Sequence, residues 1–221
     1  MIRHPWNVDY EKAIEIQKSL KEKVVLKVSK GFNPHFVAGV DVSCDEKRLY
    51  AVAVLFSFPE LVLIEKNSAS GGVNFPYIPG LLSFREAPIV IRTIKGLKEK
   101  PDIILVDGQG IAHPRRLGLA AHIGVLMNIA SIGCAKKKLI GNYKPVPDEL
   151  GAYTQLMDEK EVIGFVIRTK RHVKPVFVSP GHLIDFKASY NIVIACLRGY
   201  RLPEPTRLAH IEANRERRNR N

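Results

Sequence analysis

Residues 103–110 read Ile-Ile-Leu-Val-Asp-Gly-Gln-Gly, and this stretch decides the fold class. A short apolar run without alternation is typical of a strand that is buried on both faces, as in the parallel part of an α/β sheet. Asp107 ends the run, and glycines follow at the edge of the sheet where ligands of such folds bind. We therefore expect a buried central strand with a functional loop at its carboxyl end.

The hydrophobic patterns on either side of this strand predict the remaining elements. Upstream, they predict a helix over 9–23, strands over 36–44, 49–58 and 61–66, an exposed loop over 68–80, and a helix over 84–98. Downstream, they predict a helix over 115–128, strands over 131–136, 162–168 and 175–178, and helices over 182–197 and from about 206. This order indicates an α/β fold, an open mixed sheet with helices on its faces.

The composition favours a polyanionic partner. The 221 residues include 34 Lys plus Arg against 22 Asp plus Glu, a formal net charge of +12. Nucleic acid is the first candidate and an anionic membrane surface the second. The length and the 46% apolar content suit a single domain over 1–221, with a basic tail from about residue 212.

The sequence also predicts where the protein works. The N-terminus has no apolar signal region, and no stretch approaches the roughly 20 apolar residues that cross a bilayer. Cys44, Cys134 and Cys196 are odd in number and far apart, so we interpret them as free, buried thiols. We expect a cytoplasmic monomer with no membrane partner.

Asp41 and Asp107 are the first candidate site residues. Asp41 lies inside the apolar strand 36–44, on the same face as Gly39, where a carboxylate needs a partner. An Asp bonded to backbone amides is the simpler alternative for this position alone. Two carboxylates at one site repel unless a cation lies between them, and oxygen ligands suit Mg²⁺ or Mn²⁺. Glu86 can supply a third carboxylate, although ordinary helix-dipole stabilisation explains it more simply.

Several longer motifs then point to one family. They are VAGVDVS at 37–43, FPYIPGLLSFREAP at 75–88, ILVDGQGIAHPRRLGLAAHIGV at 104–125, GCAKKKLIG at 133–141, VSPGHLIDF at 178–186 and RLPEPTRLAH at 201–210. The chain resembles endonuclease V, a ribonuclease H-like nuclease that acts on deaminated bases, chiefly inosine. The resemblance implies a ribonuclease H-like mixed sheet with helices on both faces.

The resemblance also implies the catalytic residues. Asp41, Glu86 and Asp107 look like ligands of Mg²⁺, for which Mn²⁺ can substitute. His210 looks like a further group at the acidic site, and Lys136 lies beside the scissile phosphate. Without the motifs, Lys136 would be part of a solvated basic turn and His210 a surface residue of a helix. The family hydrolyses the second phosphodiester on the 3′ side of the lesion, leaves 3′-hydroxyl and 5′-phosphate ends, and so initiates DNA repair.

Base recognition is implied for two other segments. Pro76, Tyr77, Ile78 and Pro79 form a stiff tip that suits a wedge in DNA, although a turn packed on the core has the same composition. The residues implied to enclose the flipped base are Gly80, Leu82, Gly108, Gly110, His113 and Gly118. Arg85 and Arg115 are further candidates for substrate contact. Arg115 opens a predicted helix, where the helix dipole disfavours a cation, so a nearby phosphate explains this arginine better than stability does.

Two alternatives stay open at this point. The enzyme could act mainly on inosine-containing RNA, because no residue that reads the 2′-hydroxyl can be identified. The second alternative is a basic nucleic-acid-binding module without catalysis. The intact set of acidic and basic catalytic candidates argues against this alternative.

Overall fold

The computed structural model describes residues 4–220, and its secondary structure alternates between strands and helices. The helices are α1 (Tyr10–Lys21), α2 (Leu82–Lys95), α3 (Leu119–Met127), α4 (Phe186–Ala195) and α5 (Glu204–Asn219). The strands are β1 (Phe36–Cys44), β2 (Arg48–Ser57), β3 (Leu63–Gly72), β4 (Ile103–Val106), β5 (Ala130–Ala135), β6 (Tyr153–Asp158), β7 (Glu161–Ile167) and β8 (Val176–His182).

All of these strands join one mixed sheet in the order β3-β2-β1-β4-β5-β8-β7-β6. β4 lies between β1 and β5 and is parallel to both, while the other pairs are antiparallel. Every residue of β4 is buried, which confirms the predicted central strand. The carboxyl ends of β1, β4 and β5 therefore meet at one edge of the sheet.

Helices cover both faces of the sheet, as expected. Along β1, Val37 packs in a core with residues of α4 and α5, whereas Ala38 packs in a core with residues of α2 and α3. Alternating side chains of one strand thus face the two helical layers. α1 packs outside α2 and α3 through a smaller apolar cluster around Leu20.

Gly39 sets how closely α5 approaches the sheet. A Cβ on Gly39 would lie 2.0 Å from the carbonyl carbon of Pro205, at the start of α5. Any other residue would push the helix away, so glycine is required for this packing. The close approach brings the middle of α5 over the second half of β1, where Asp41 lies.

The two edge strands differ from the sequence-based expectation. β3 runs to Gly72, so it takes up part of the predicted loop over 68–80, because Ser, Asn and Gly in an edge strand give no apolar alternation. β6 was missed entirely, since its side chains are mostly exposed or half-buried at the other edge. The predicted strand over 175–178 continues to His182, and α4 begins at Phe186 behind the N-cap Asp185 rather than at 182.

Three smaller expectations are also corrected. The helix predicted from 115 begins at Leu119, because Arg116 adopts a left-handed backbone with φ 54°. Residues 212–219 of the predicted basic tail are the last turns of α5, which packs on β1 and β2. Cys44 is exposed, while Cys134 and Cys196 are buried as expected. Within residues 4–220, no helix is both long and apolar enough to cross a membrane.

Candidate active site

Two neighbouring parallel strands bring Asp41 and Asp107 together. Val40 of β1 pairs with Val106 of β4, and the backbone N–H of Asp107 donates to Val40 O at 3.1 Å. The two carboxylates therefore follow each other across the carboxyl edge of the sheet. Their side chains are only 10% and 13% exposed, so their mutual repulsion is poorly screened by water.

Two basic side chains complete this acidic centre. His210 Nδ1 lies 2.6 Å from Asp41 Oδ2 and 3.2 Å from Lys136 Nζ. Lys136 follows β5 and forms an ion pair with Asp107. Ligand atoms of Asp41, Asp107 and His210 all lie within 4.8 Å of one another, an arrangement that could hold a metal ion.

Asn214 and Ser43 hold the turn of α5 that carries His210. Asn214 lies one turn after His210 on α5, and its Nδ2 donates to His210 O at 2.9 Å. Ser43 Oγ donates to Asn214 Oδ1 at 3.1 Å, which ties the helix to the end of β1. Asn214 is not among the predicted site residues, although its i+4 spacing from His210 is the signal that could have identified it.

Glu86 reaches the same edge from α2, on the opposite face of the sheet. Burial raises the pKa of Glu86 to about 8, and the charges of Asp41 and Asp107 add to this rise. Burial and Asp41 also raise the pKa of Asp107, although Lys136 opposes the shift. Three carboxyl groups therefore share this poorly solvated corner. Glu86 lies near the metal-compatible group of three but is not part of it.

A cleft of about 500 Å³ opens over this centre. The predicted site residues that line it are Asp41, Tyr77, Ile78, Pro79, Gly80, Leu82, Glu86, Asp107, Gly108, His113, Gly118, Lys136 and His210. The acidic centre and the segment that carries Tyr77 thus contribute to the lining of the same cleft. Tyr77 is 67% exposed, so the tip is not packed on the core.

Four predicted substrate-binding residues lie outside the lining of the cleft. Pro76 is exposed next to Tyr77. The N–H of Gly110 donates to Ser179 Oγ at 2.8 Å, so this glycine packs against β8. Arg85 reaches the carbonyl of Phe75 at 3.5 Å, beside a different pocket. Arg115 points to the loop that precedes α2, where it holds Gly80.

The carbonyl of Gly80 is the anchor of the Tyr77 loop. It accepts from His113 Nε2 at 2.9 Å, Arg115 Nη2 at 2.7 Å and Gln17 Nε2 at 3.0 Å. His113 Nδ1 accepts from the N–H of Arg115, so Nε2 carries the proton of a neutral ring. Burial lowers the pKa of His113 to about 4, which keeps the ring neutral near pH 7.

Gln17 is a functional candidate that sequence reasoning missed. It is 1% exposed on the apolar side of α1, and its Oε1 accepts from Arg115 Nε at 2.5 Å. A glutamine on a face otherwise formed by Ala13, Ile16 and Leu20 is the signal that could have drawn attention to it, because a buried amide needs specific partners.

The fold and the site together define a ribonuclease H-like nuclease, in which carboxylates converge at the ends of adjacent parallel strands. The chain belongs to the endonuclease V family, since the sequence profile named Endonuclease V matches residues 18–211. Endonuclease V of Methanothrix thermoacetophila is 46% identical over 208 residues, which cover 94% of this chain and 92% of that protein.

Solved structures agree with this assignment. The crystal structure of Endonuclease V from Streptomyces avermitilis superimposes with a TM-score of 0.92 at 37% identity, covering 99% of this chain and 97% of that one. Endonuclease V of Ciona intestinalis, solved in complex with a 24mer DNA that contains an inosine followed by a ribo-adenosine, gives a TM-score of 0.83 at 25% identity, covering 96% of this chain and 98% of that one.

Proposed function

We propose that this protein recognises inosine in DNA and hydrolyses the second phosphodiester on the 3′ side, leaving 3′-hydroxyl and 5′-phosphate ends that initiate repair. The convergence of Asp41, Asp107, His210 and Lys136 in the lining of one cleft is the observation that carries the proposal. The Ciona relative solved with inosine-containing DNA supports the choice of substrate. We propose further that the chain acts as a monomeric, cytoplasmic, single-domain enzyme.

The residues at the acidic centre fit a divalent cation. Asp41 and Asp107, with Glu86 from the opposite face, offer carboxylate oxygens, which are the ligands that Mg²⁺ and Mn²⁺ prefer. Burial and the neighbouring carboxylates raise the pKa of Glu86 and of Asp107, and this supports a cation at this corner. When bound, the cation would lower the pKa of an attacking water and neutralise charge on the phosphate.

Besides the cation, two protein side chains, Lys136 and His210, act on the phosphodiester. The ammonium of Lys136 lies at the acidic end of the cleft, where it can meet a phosphate oxygen as a point charge. His210 has its Nδ1 fixed beside Asp41 and its backbone carbonyl held by Asn214. The ring can therefore hold or move a proton beside Asp41.

Other residues of the cleft provide base recognition. Tyr77, exposed on a loop stiffened by two prolines, fills the gap that a flipped base leaves. Leu82 is the first residue of α2, so its N–H has no partner within the helix and can bond the edge of hypoxanthine. The N–H groups of Gly108 and Gly118 already donate to protein acceptors, so these two glycines contribute shape more than hydrogen bonds.

Matched oligonucleotides test the proposal. DNA and RNA strands of one sequence, each with a single inosine or its parent adenine, are incubated with the protein with and without Mg²⁺. We expect Mg²⁺-dependent nicking of the inosine DNA. Cutting confined to the RNA strands would establish the ribonuclease alternative, and binding without cutting under every metal condition would establish the binding module.

A further inference from the structure

A second cavity of about 490 Å³ lies beside β6, outside the acidic centre. Its lining residues are Asn142, Tyr143, Lys144, Thr154, Gln155 and Met157. This cavity combines an aromatic ring, two amides and one cation. These are the groups that bind nucleotides, since a ring stacks on a base, amides bond its edge and an ammonium meets its phosphate.

The polar groups of this lining are unused by the protein. Within residues 4–220, the side chains of Asn142, Gln155 and Lys144 make no hydrogen bond or ion pair. Tyr143 is 41% exposed, and its hydroxyl likewise has no partner in this part of the chain. The donors and acceptors of the cavity are thus available to a ligand.

The backbone around the cavity is fixed in place. Asn142 and Met157 exchange two backbone hydrogen bonds, of 2.7 and 2.8 Å. Thr154 Oγ1 donates to Lys144 O at 3.0 Å. The ring of Tyr143 packs against Phe177 with centroids 5.5 Å apart and planes at 76°. A prearranged ring loses little entropy when a base stacks on it.

One chain segment links this cavity to the cleft. Lys137, Lys138 and Leu139 line the cleft. A few residues later in the same segment, Asn142, Tyr143 and Lys144 line the second cavity. Gln109 Nε2 donates to Lys137 O at 3.0 Å, and Arg201 Nη2 donates to Lys136 O at 2.7 Å, so the start of the segment is also anchored. Lys137 and Lys138 form no ion pair with any residue between 4 and 220 and give the path a positive charge.

We propose that the substrate strand continues past Lys136 along residues 137–144 and stacks one unpaired base on Tyr143. Lys144 contacts the phosphate of that nucleotide, and Asn142 and Gln155 face its base edge. The inference rests on the proposed function, in which Lys136 lies at a phosphodiester on the 3′ side of the inosine. The stacked nucleotide therefore belongs to the 3′ flank of the cut strand.

An abasic scan tests this subsite. Single-stranded inosine oligonucleotides are prepared in which one nucleotide of the 3′ flank at a time lacks its base, and KM and kcat for nicking are measured with Mg²⁺. For the wild-type protein, we expect one position in the flank where loss of the base raises KM about 5- to 150-fold, the range that base stacking on an aromatic side chain supports. kcat should change little, because the subsite lies away from the reacting phosphodiester.

Variants assign that position to Tyr143. Tyr143→Ala should raise KM for the intact strand by the same factor and should no longer respond to the abasic position. Tyr143→Phe should behave as wild type, since it keeps the ring. Tyr153→Ala is the matched control, because Tyr153 is 48% exposed on β6, next to the cavity, but its ring packs against Phe165 and Tyr190 instead.

The outcomes separate this inference from the function on which it rests. A flat abasic profile for the wild type, or the same profile in wild type and Tyr143→Ala, would overturn the subsite while inosine nicking still stands. If the wild-type protein cuts no inosine strand with Mg²⁺, the proposed function itself fails and the subsite fails with it.

Discussion

His210 Nδ1 lies 2.6 Å from Asp41 Oδ2, although 169 residues separate them in sequence. The contact depends on α5, whose start rests on the backbone of Gly39 in β1. One strand therefore provides both the carboxylate and the surface on which its partner helix packs. A change at Gly39 should disturb the acidic centre as well as the core, because helix and strand cannot separate without moving His210 from Asp41.

Removal of either central carboxylate should stop the reaction but not folding. Asp41→Ala or Asp107→Ala is expected to lower the nicking rate about 100- to 1000-fold, because each variant loses a proposed metal ligand. The melting temperature should be unchanged or higher, since one of several repelling carboxyl groups is removed. Glu99→Ala, which removes an exposed carboxylate that precedes the amino end of β4 and so lies away from the end that carries Asp107, is the control. Near wild-type nicking in both aspartate variants would rule out the proposed centre.

Tyr77→Ala should separate opening of the duplex from the chemistry. Without the exposed ring, the gap in the stack is unfilled, and we expect nicking of duplex inosine DNA to fall about 10- to 100-fold. Nicking of a single-stranded inosine substrate should fall much less, because no stack has to be opened. Initial rates on both substrates check this, with Tyr153→Ala as a control for an exposed tyrosine. Equal losses on both substrates would place Tyr77 in the chemistry instead.

The central part of the fold was predictable because its signals are local. The unbroken apolar run before Asp107 identifies a strand buried on both faces, and the alternation around Asp41 places its side chain on the same face as Gly39. Edge strands lack such signals, because most of their side chains are exposed or half-buried. β3 was therefore shortened in the prediction and β6 was missed.

The site was predictable only in part, for a different reason. The motif resemblance indicated the residues at the acidic centre. It did not indicate which other side chains hold the site residues in place by hydrogen bonds. Gln17 holds Gly80 from α1, and Ser43 holds Asn214 from the end of β1, so both contacts join distant segments. A spacing pattern records residues on one element and not contacts between elements, so these supports became visible only in three dimensions.

Gln17 should position the Tyr77 loop. Gln17→Leu leaves Arg115 Nε without its acceptor and removes one donor from Gly80 O, so we expect the free energy of unfolding to fall by about 1–3 kcal/mol. Nicking of duplex should fall more than nicking of single strands, as for Tyr77→Ala. Gln17→Glu keeps the acceptor for Arg115 and should recover part of the loss. Urea denaturation and the duplex to single-strand rate ratio measure the two effects, and an unchanged ratio would confine Gln17 to stability.

His113 should make the protein sensitive to acid. Its pKa is about 4 in the folded protein against 6.5 for an ordinary histidine. Between these pH values the unfolded chain binds a proton that the folded chain does not, so stability is complete above pH 6.5 and falls as pH decreases toward 4. The full difference is about 3 kcal/mol. His113→Gln should be less stable at neutral pH, yet lose less stability on acidification. Urea denaturation at several pH values checks this, and parallel pH profiles for both proteins would contradict it.

The exposed arginines near the end of α5 should contribute affinity without specificity. Arg215 and Arg218 are exposed, whereas the guanidinium of Arg217 donates to the carbonyl of Cys44 at 3.2 Å and so helps to hold the helix on β1. A deletion after Asn214 would disturb this packing, so replacing the exposed arginines by neutral side chains is the better test.

If both exposed arginines contact phosphate, Arg215→Gln/Arg218→Gln should flatten the slope of log affinity against log salt by about 1.8 for duplex DNA, or 0.9 per contact. Preference for inosine over adenine should not change, because phosphate contacts position a protein and base contacts specify it. Lys18→Gln/Lys23→Gln is the control, because it removes the same amount of charge from two exposed lysines, one on α1 and one just after it. Equal slopes for the wild type and the arginine variant would mean that α5 ends in solvent, and that the phosphates are met around Lys136 and the lysines that follow it.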